Sequence, residues 1–322
     1  MTTRKIIQFG KNSFVISLPK AWVERNKLSK GSEINIDETP STVLISPKQK
    51  ENISETKIKK INCEEYGKKV GRSIISAYIN NYSIIEIYGQ NLTEYTKEIE
   101  DITHNLVALE IMEQTPRKII IKDFLNTQDI SIENIIKRMD IIIRAMFSEI
   151  EDIFNKNEKV DLNKRDYDVN RLFYVGQKLL NKLLDNPTLS KTLNVEIRET
   201  IFYWQIIDSL EKIADQQKRF ARNLVEIQKD KQTKEALKTS FESVTKQYLD
   251  IIKALYKLEK HEADLVLSNK TQILNSLEDS MEKTLLKQKD TNIIHNTTEA
   301  FERLKRFESA VSIIAKAIIN KE

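Results

Sequence analysis

The chain has 322 residues, 31% charged and 40% hydrophobic, with a formal net charge of +4 and one cysteine, Cys63. That composition is ordinary for a helix-rich protein of two or three domains, and the lone cysteine excludes a disulfide within one chain and fits a reducing compartment. No apolar run approaches the ~18 residues of a membrane span, and Met1-Thr2-Thr3-Arg4 leads into a strand, so a cytoplasmic protein without membrane insertion is expected.

Arg4 to Phe9 reads as a short strand, Gly10-Lys11-Asn12-Ser13 as a turn, and Phe14-Val15-Ile16-Ser17-Leu18 as a second strand running into Pro19-Lys20-Ala21-Trp22. Pro19 suits the first turn of a helix, where its missing N–H is not needed and its φ is already helical. The helix is expected to run to about Leu28. Ser29-Lys30-Gly31-Ser32 then turns the chain into the alternating strand Glu33-Ile34-Asn35-Ile36-Asp37, and Thr42-Val43-Leu44-Ile45-Ser46 is the next. A ββαββ unit this small buries too little apolar surface to stand alone, so it is expected to complete its core with a second copy.

The stretch Gly10-Lys11-Asn12-Ser13-Phe14-Val15-Ile16-Ser17-Leu18-Pro19-Lys20, followed by Leu28-Ser29-Lys30-Gly31-Ser32-Glu33-Ile34, resembles the AbrB/SpoVT family of dimeric transcription regulators. The resemblance covers roughly a seventh of the chain. It implies a swapped-hairpin β-barrel made by two interleaved chains, with a basic face that lies on double-stranded DNA.

Charge supports that expectation separately. Residues 1–30 hold Arg4, Lys5, Lys11, Lys20, Arg25, Lys27 and Lys30 against one acid, Glu24. The local excess of six positive charges exceeds the +4 of the whole chain, so the remainder is slightly acidic. Doubled in a homodimer, such a patch neutralises several phosphates, and its binding weakens steeply with salt. Arg4, Lys5, Lys11, Asn12, Ser13 and Lys20 are the candidate DNA contacts, on the expectation that the first strand and the turn sit together at one end. The alternative is a solubilising surface on a dimerisation module.

Between residues 51 and 127 the pattern alternates. Lys57–Cys63, Ser83–Tyr88 and Arg117–Ile121 read as strands, separated by helices that carry Tyr66, Val70, Ile74 and Ala77, and then Ile99, Ile102, Leu106 and Leu109. The expectation is a small βαβαβ connecting module. Gly67-Lys68-Lys69-Val70-Gly71 lacks the spacing and context of a phosphate loop.

From 128 to 322 the chain reads as helical, and no glycine or proline follows Pro187. Six helices are expected, at about 131–157, 163–185, 194–229, 233–267, 270–288 and 292–320, by periodicity and polar capping residues. The fourth carries Leu237, Phe241, Val244, Tyr248, Ile251, Leu255 and Leu258 at alternating steps of four and three, a bundle-core stripe. Six such helices divide into two three-helix units, about 128–230 and 231–322, which suggests internal duplication. The fold expected overall is multidomain α+β.

Steps of three and four place Asp208, Glu211 and Asp215 along one face of the third helix, nearly opposite its core stripe, so these acids are expected to point outward. Asp166 and Asn170 are four apart on the second helix. Leu210-Glu211-Lys212-Ile213-Ala214-Asp215 resembles the acid-xxx-Asp motif of the PhoU family of phosphate-signalling regulators, and Asp166 to Asn170 resembles its partner with the final Asp replaced. In the second repeat, Leu304-Lys305-Arg306-Phe307-Glu308 keeps a single acid. The resemblance implies a pair of three-helix bundles and a divalent metal or iron held by Asp166, Asn170, Asp208, Glu211 and Asp215, as suits hard cations. The pairs Asp208–Lys212 and Asp215–Arg219, at favourable helical spacing, equally describe an ordinary solvated face.

His104, His261 and His295 have no partner at zinc-ligand spacing, and no nucleophile stands in a recognisable setting, so no enzyme is expected. The two resemblances together imply a homodimeric transcription regulator of phosphate uptake, whose helical part senses or relays phosphate status. Two alternatives stand beside it. One is an adaptor acting on the ATPase subunit of a phosphate ABC transporter or on another signalling partner, with the barrel only dimerising. The other is an antitoxin-like DNA binder.

Overall fold

In the N-terminal unit, β1 (Ile7–Phe9) and β2 (Ser13–Val15) form an antiparallel hairpin with Ile7 opposite Val15 and Phe9 opposite Ser13. Gly10 closes it at φ +72°, a left-handed conformation that glycine adopts without a Cβ penalty. The first helix, α1 (Lys20–Arg25), begins one residue later than expected: Pro19 is its extended N-cap. It also stops short of Leu28, because the Asn26 side chain donates to the Trp22 carbonyl at 2.8 Å and Lys27 takes φ +53°. β3 (Ile34–Glu38) and β4 (Val43–Pro47) make a second antiparallel pair. The ββαββ order is the expected one, with both opening strands shortened.

The computed structural model describes residues 3–38, 42–48, 57–127, 130–156, 160–186, 189, 190, 193, 195–227, 230–286 and 288–321. They fall in two compact units, Met1–Glu55 and Thr56–Glu322. The expected boundary residues 51 and 128, and helix ends 157, 194 and 229, lie outside the described residues.

No described residue of the first unit is buried, and Ile6, Ile7, Phe9, Phe14, Ile36 and Val43 are each 61–72% exposed. Among the described residues of this unit, one chain supplies two separate two-stranded sheets and no closed barrel. Isolated hairpins are marginal in water, and this much exposed apolar surface needs covering.

The second unit opens with β5 (Ile58–Asn62), α2 (Cys63–Tyr66), α3 (Val70–Ile79), β6 (Ile84–Tyr88), α4 (Thr96–His104), β7 (Leu109–Thr115) and β8 (Lys118–Asp123). They build a four-stranded sheet in the order β5-β6-β8-β7, in which β5 and β6 are parallel and the other pairs antiparallel. The module is therefore βαβα followed by a hairpin, a correction to the expected βαβαβ. The Ile99, Ile102, Leu106 and Leu109 spacing carried the helix reading past its end. Ala108, at φ +58°, breaks the helical path, and Leu109 starts β7.

Six long helices follow among the described residues: α5 (Ile132–Lys156), α6 (Asn163–Asp185), α7 (Glu199–Ile227), α8 (Lys231–Lys257), α9 (Lys260–Leu285) and α10 (Thr291–Asn320). Asp230 and Asp290 start α8 and α10 as N-caps, accepting from backbone amides of the first turn. The α8–α9 break comes well before the expected 267. Leu258 turns the chain at φ +54° and is exposed, although it continues the core spacing of α8.

α5, α6 and α7 pack together, as do α8, α9 and α10, and α7 lies along α10. The α7–α10 pair is antiparallel: Asn223 donates to Asn296 at 3.1 Å near one end, and Lys321 meets Glu199 at 3.0 Å near the other. One continuous core joins the two groups, with Phe147 of α5 stacked on Phe307 of α10 at 5.8 Å and Phe220 of α7 on Phe241 of α8 at 5.3 Å. Aromatic pairs of this kind add ~0.5–1.5 kcal/mol each beyond the area they bury.

The sheet module is tied to α6 by Lys178. This side chain is 2% exposed, lies 2.6 Å from Asp123, donates to the Tyr78 carbonyl at 3.0 Å and stands over the Tyr78 ring. Asn81 and Asn181 add side-chain bonds to the carbonyls of Lys178 and Ile79. The expected module boundary near residue 127 thus runs through one compact unit.

Candidate functional site

All six candidate DNA-contact residues are exposed. Lys11 and Asn12 occupy the hairpin turn, Ser13 opens β2 and Lys20 opens α1. Arg4 and Lys5 precede β1, at the open end of the hairpin. Extended chain rises ~3.3 Å per residue, so they stand roughly 20 Å from Lys11. The expected clustering at one end is therefore not made within a single chain. Among the described residues, the ion pair of Lys20 with Glu24, at 3.6 Å, is the one acidic contact of the seven N-terminal basic groups. The rest form an unneutralised positive surface on a small exposed scaffold.

In the second unit, α6 and α7 bring Asp166, Asn170, Glu211 and Asp215 together. The acids do not point into solvent as expected: Asp208, Glu211 and Asp215 are half-buried and Asp166 is buried. Two sides of α7 are covered in this bundle, so the face opposite its core stripe meets α6 rather than water.

Lys218, which the spacing of acids along the sequence does not reveal, organises the group. Its Nζ lies 2.7 Å from Asp166 and 3.0 Å from Asp215. Asn170 donates to Asp166 at 3.3 Å, Arg219 donates to Asp215 at 2.7 Å, and Asp208 turns aside to Lys212 at 2.6 Å. Burial pushes the Asp215 carboxyl up, yet bonds from Lys218 and Arg219 outweigh it and hold it below the usual range. Among the described residues Glu211 has no such donor; burial, then the Asp215, Asp166 and Asp208 carboxylates, push it up to about 7 against the opposing charge of Lys212.

This donor set does not fit a divalent cation as arranged. An ammonium occupies the space between Asp166 and Asp215, and Glu211 is shifted toward its neutral form. Among the described residues, no group of three or more His, Cys, Asp or Glu stands ready to hold a metal ion.

In α10, Glu308 is fully buried, and neither of its carboxyl oxygens has a hydrogen-bond partner among the described residues. Ser312, one turn on, is buried and equally unpartnered. Phe307-Glu308 through Ser312 thus repeats Leu210-Glu211 through Asp215 with the second acid replaced by a hydroxyl. Burial pushes Glu308 up to about 8, opposed only by Lys270.

Residues 7–52 match the family described as antidote-toxin recognition MazE, bacterial antitoxin. The matched segment contains β1, β2, α1, β3 and β4 and lies within the first unit, which is similar to a MazE/AbrB-like domain. No curated protein and no solved structure matches the chain significantly. No helix among the described residues is long and apolar enough to cross a membrane.

Proposed function

We propose that the chain is a homodimeric DNA-binding transcription regulator that acts by binding rather than catalysis. The observation that carries this reading is the state of the first unit: a MazE-like segment with every described apolar side chain exposed or half-buried, beside an unneutralised basic surface. A second copy would cover the apolar faces, and two copies would bring together basic ends that one hairpin keeps apart. Arg4, Lys5, Lys11, Asn12, Ser13 and Lys20 then face the phosphate backbone and bases.

The finer reading is regulation of phosphate uptake. Support comes from the PhoU-like motif Glu211 to Asp215 and from the two three-helix groups that carry it and its degenerate copy at Glu308. The helical part would relay phosphate status by altering its partner contacts and the geometry of the dimer. Mapping the sites bound by the intact protein in cells tests this, with and without phosphate starvation. Enrichment beside phosphate-transport genes that changes with starvation is expected; binding elsewhere, indifferent to phosphate, defeats the finer reading.

The description of the matched family favours one second reading, an antitoxin that also binds DNA. Its discriminating observation is a neighbouring toxin gene whose product, co-expressed, is silenced by this chain.

A further inference from the structure

Beside the edge strand β5, one face of α3 borders an open cleft of about 300 Å³ lined by Lys59, Tyr66, Lys69, Arg72, Ser73 and Ser76. Arg72, Ser73 and Ser76 share that face of α3, Lys69 precedes it as the N-cap at helical spacing, and β5 supplies Lys59. Neighbouring lysines are neutralised. Lys60 and Lys118 share Glu86, and Lys57 meets Asp185. Among the described residues, Lys59, Lys69 and Arg72 meet no carboxylate, and the Ser76 hydroxyl has no hydrogen-bond partner. The Ser73 hydroxyl donates to the Lys69 carbonyl at 3.0 Å, which leaves its oxygen free to accept.

Three like charges around one concavity repel each other until an anion enters. We infer that this cleft binds a small oligophosphate group of the pyrophosphate type, either free or carried on a phosphorylated metabolite. Three cations match the charge of a two-phosphate chain, and the Arg72 fork suits two of its oxygens. A water's share of liquid is about 30 Å³, so the cleft holds about ten water volumes, more than a single orthophosphate fills. The site uses none of the residues assigned to DNA, so it stands or falls apart from that proposal.

Isothermal titration of the full chain with sodium pyrophosphate at near-physiological salt tests the site, alongside Arg72→Gln and Lys69→Gln. Both positions are exposed, so folding is preserved, and circular dichroism checks it. The expected result is saturable binding, one anion per chain, weakened about tenfold or more in each variant, the scale of a missing charge-assisted bond, and retained in Lys97→Gln on α4. Displacement by ADP identifies a nucleotide-borne phosphate chain, and resistance to ADP with displacement by tripolyphosphate identifies the free chain; either supports the site. No saturable binding, or equal binding by the variants, overturns it. So does equal competition by duplex DNA, which would make the cleft part of a nucleic-acid surface.

Discussion

Lys218 of α7 lies 2.7 Å from Asp166 of α6, with both side chains largely shielded from water. The same ammonium bridges to Asp215, so one lysine does at this helix pair what a bound cation would do. Removing it leaves Asp166 buried and short of a counter-charge, a change that typically costs ~3–5 kcal/mol when a buried pair loses one member. Lys218→Ala is expected to lower the thermal midpoint, and millimolar Mn²⁺ is expected to restore part of the loss. Wild-type protein should respond little to Mn²⁺ in the same melts. Equal metal response by the two proteins would show that Lys218 does not occupy the cation's place.

Glu308 makes stability depend on pH. Its carboxyl is raised from 4.5 to about 8 in the fold, so between those values the unfolded chain loses the proton while the folded chain keeps it. The unfolded state then binds fewer protons, and stability falls as pH rises through that window. Glu308→Gln removes the penalty without changing shape. Melts of the variant and wild type should nearly coincide near pH 5 and separate in favour of the variant toward pH 8. Parallel curves across the range would mean that Glu308 finds a counter-charge.

Asp140 joins the two helix groups. It is buried in α5 and accepts from Tyr248 at 2.7 Å, Tyr256 at 2.9 Å and Arg144 at 2.9 Å. Tyr248→Phe keeps the ring packing against Phe147 and Phe307 but removes one donor from a buried carboxylate. A loss of ~1–3 kcal/mol in denaturant unfolding is expected, the cost of leaving a buried acceptor short. A change near zero would mean that Arg144 and Tyr256 satisfy Asp140 alone.

These networks were the least legible part of the sequence. Helix number and order could be read because Phe241, Val244, Tyr248 and Ile251 recur at core spacing, and that signal is local. The turn at Leu258 was hidden because a leucine there continues the stripe, while its left-handed φ leaves no mark in composition. β7 was hidden by Leu109, which fits the preceding helix as well as the strand. The acid group was half legible: spacing put Glu211 and Asp215 on one face, but only packing shows that α6 covers that face. Lys218 needed the tertiary fold, since its partner Asp166 is on another helix. In the first unit, the charge excess was plain in the sequence, whereas the separation of Arg4 from Lys11 depends on hairpin register.

Self-association has its own test at Phe14. This ring is 70% exposed in one chain, opposite Gln8 on one face of the hairpin, while Ile7, Phe9 and Val15 are exposed on the other. If a second copy covers it, Phe14→Ser gives up about 1.5–3 kcal/mol of buried apolar surface per chain. Sedimentation should show a dimer for wild type and a concentration-dependent shift toward monomer for the variant. A monomer at micromolar wild-type concentration would contradict the covering partner.

The most direct test of the central claim is DNA binding by the intact protein across a salt series, on fragments upstream of phosphate-transport genes and on unrelated duplex, beside a variant with Arg4, Lys5 and Lys11 changed to Ala. The account predicts tighter binding to the former and a steep fall with salt. The variant's log–log slope should be shallower by about 0.9 for each phosphate that it no longer neutralises. Weak binding, indifferent to sequence, salt and substitution, would contradict it and leave the N-terminal unit as a dimerisation device.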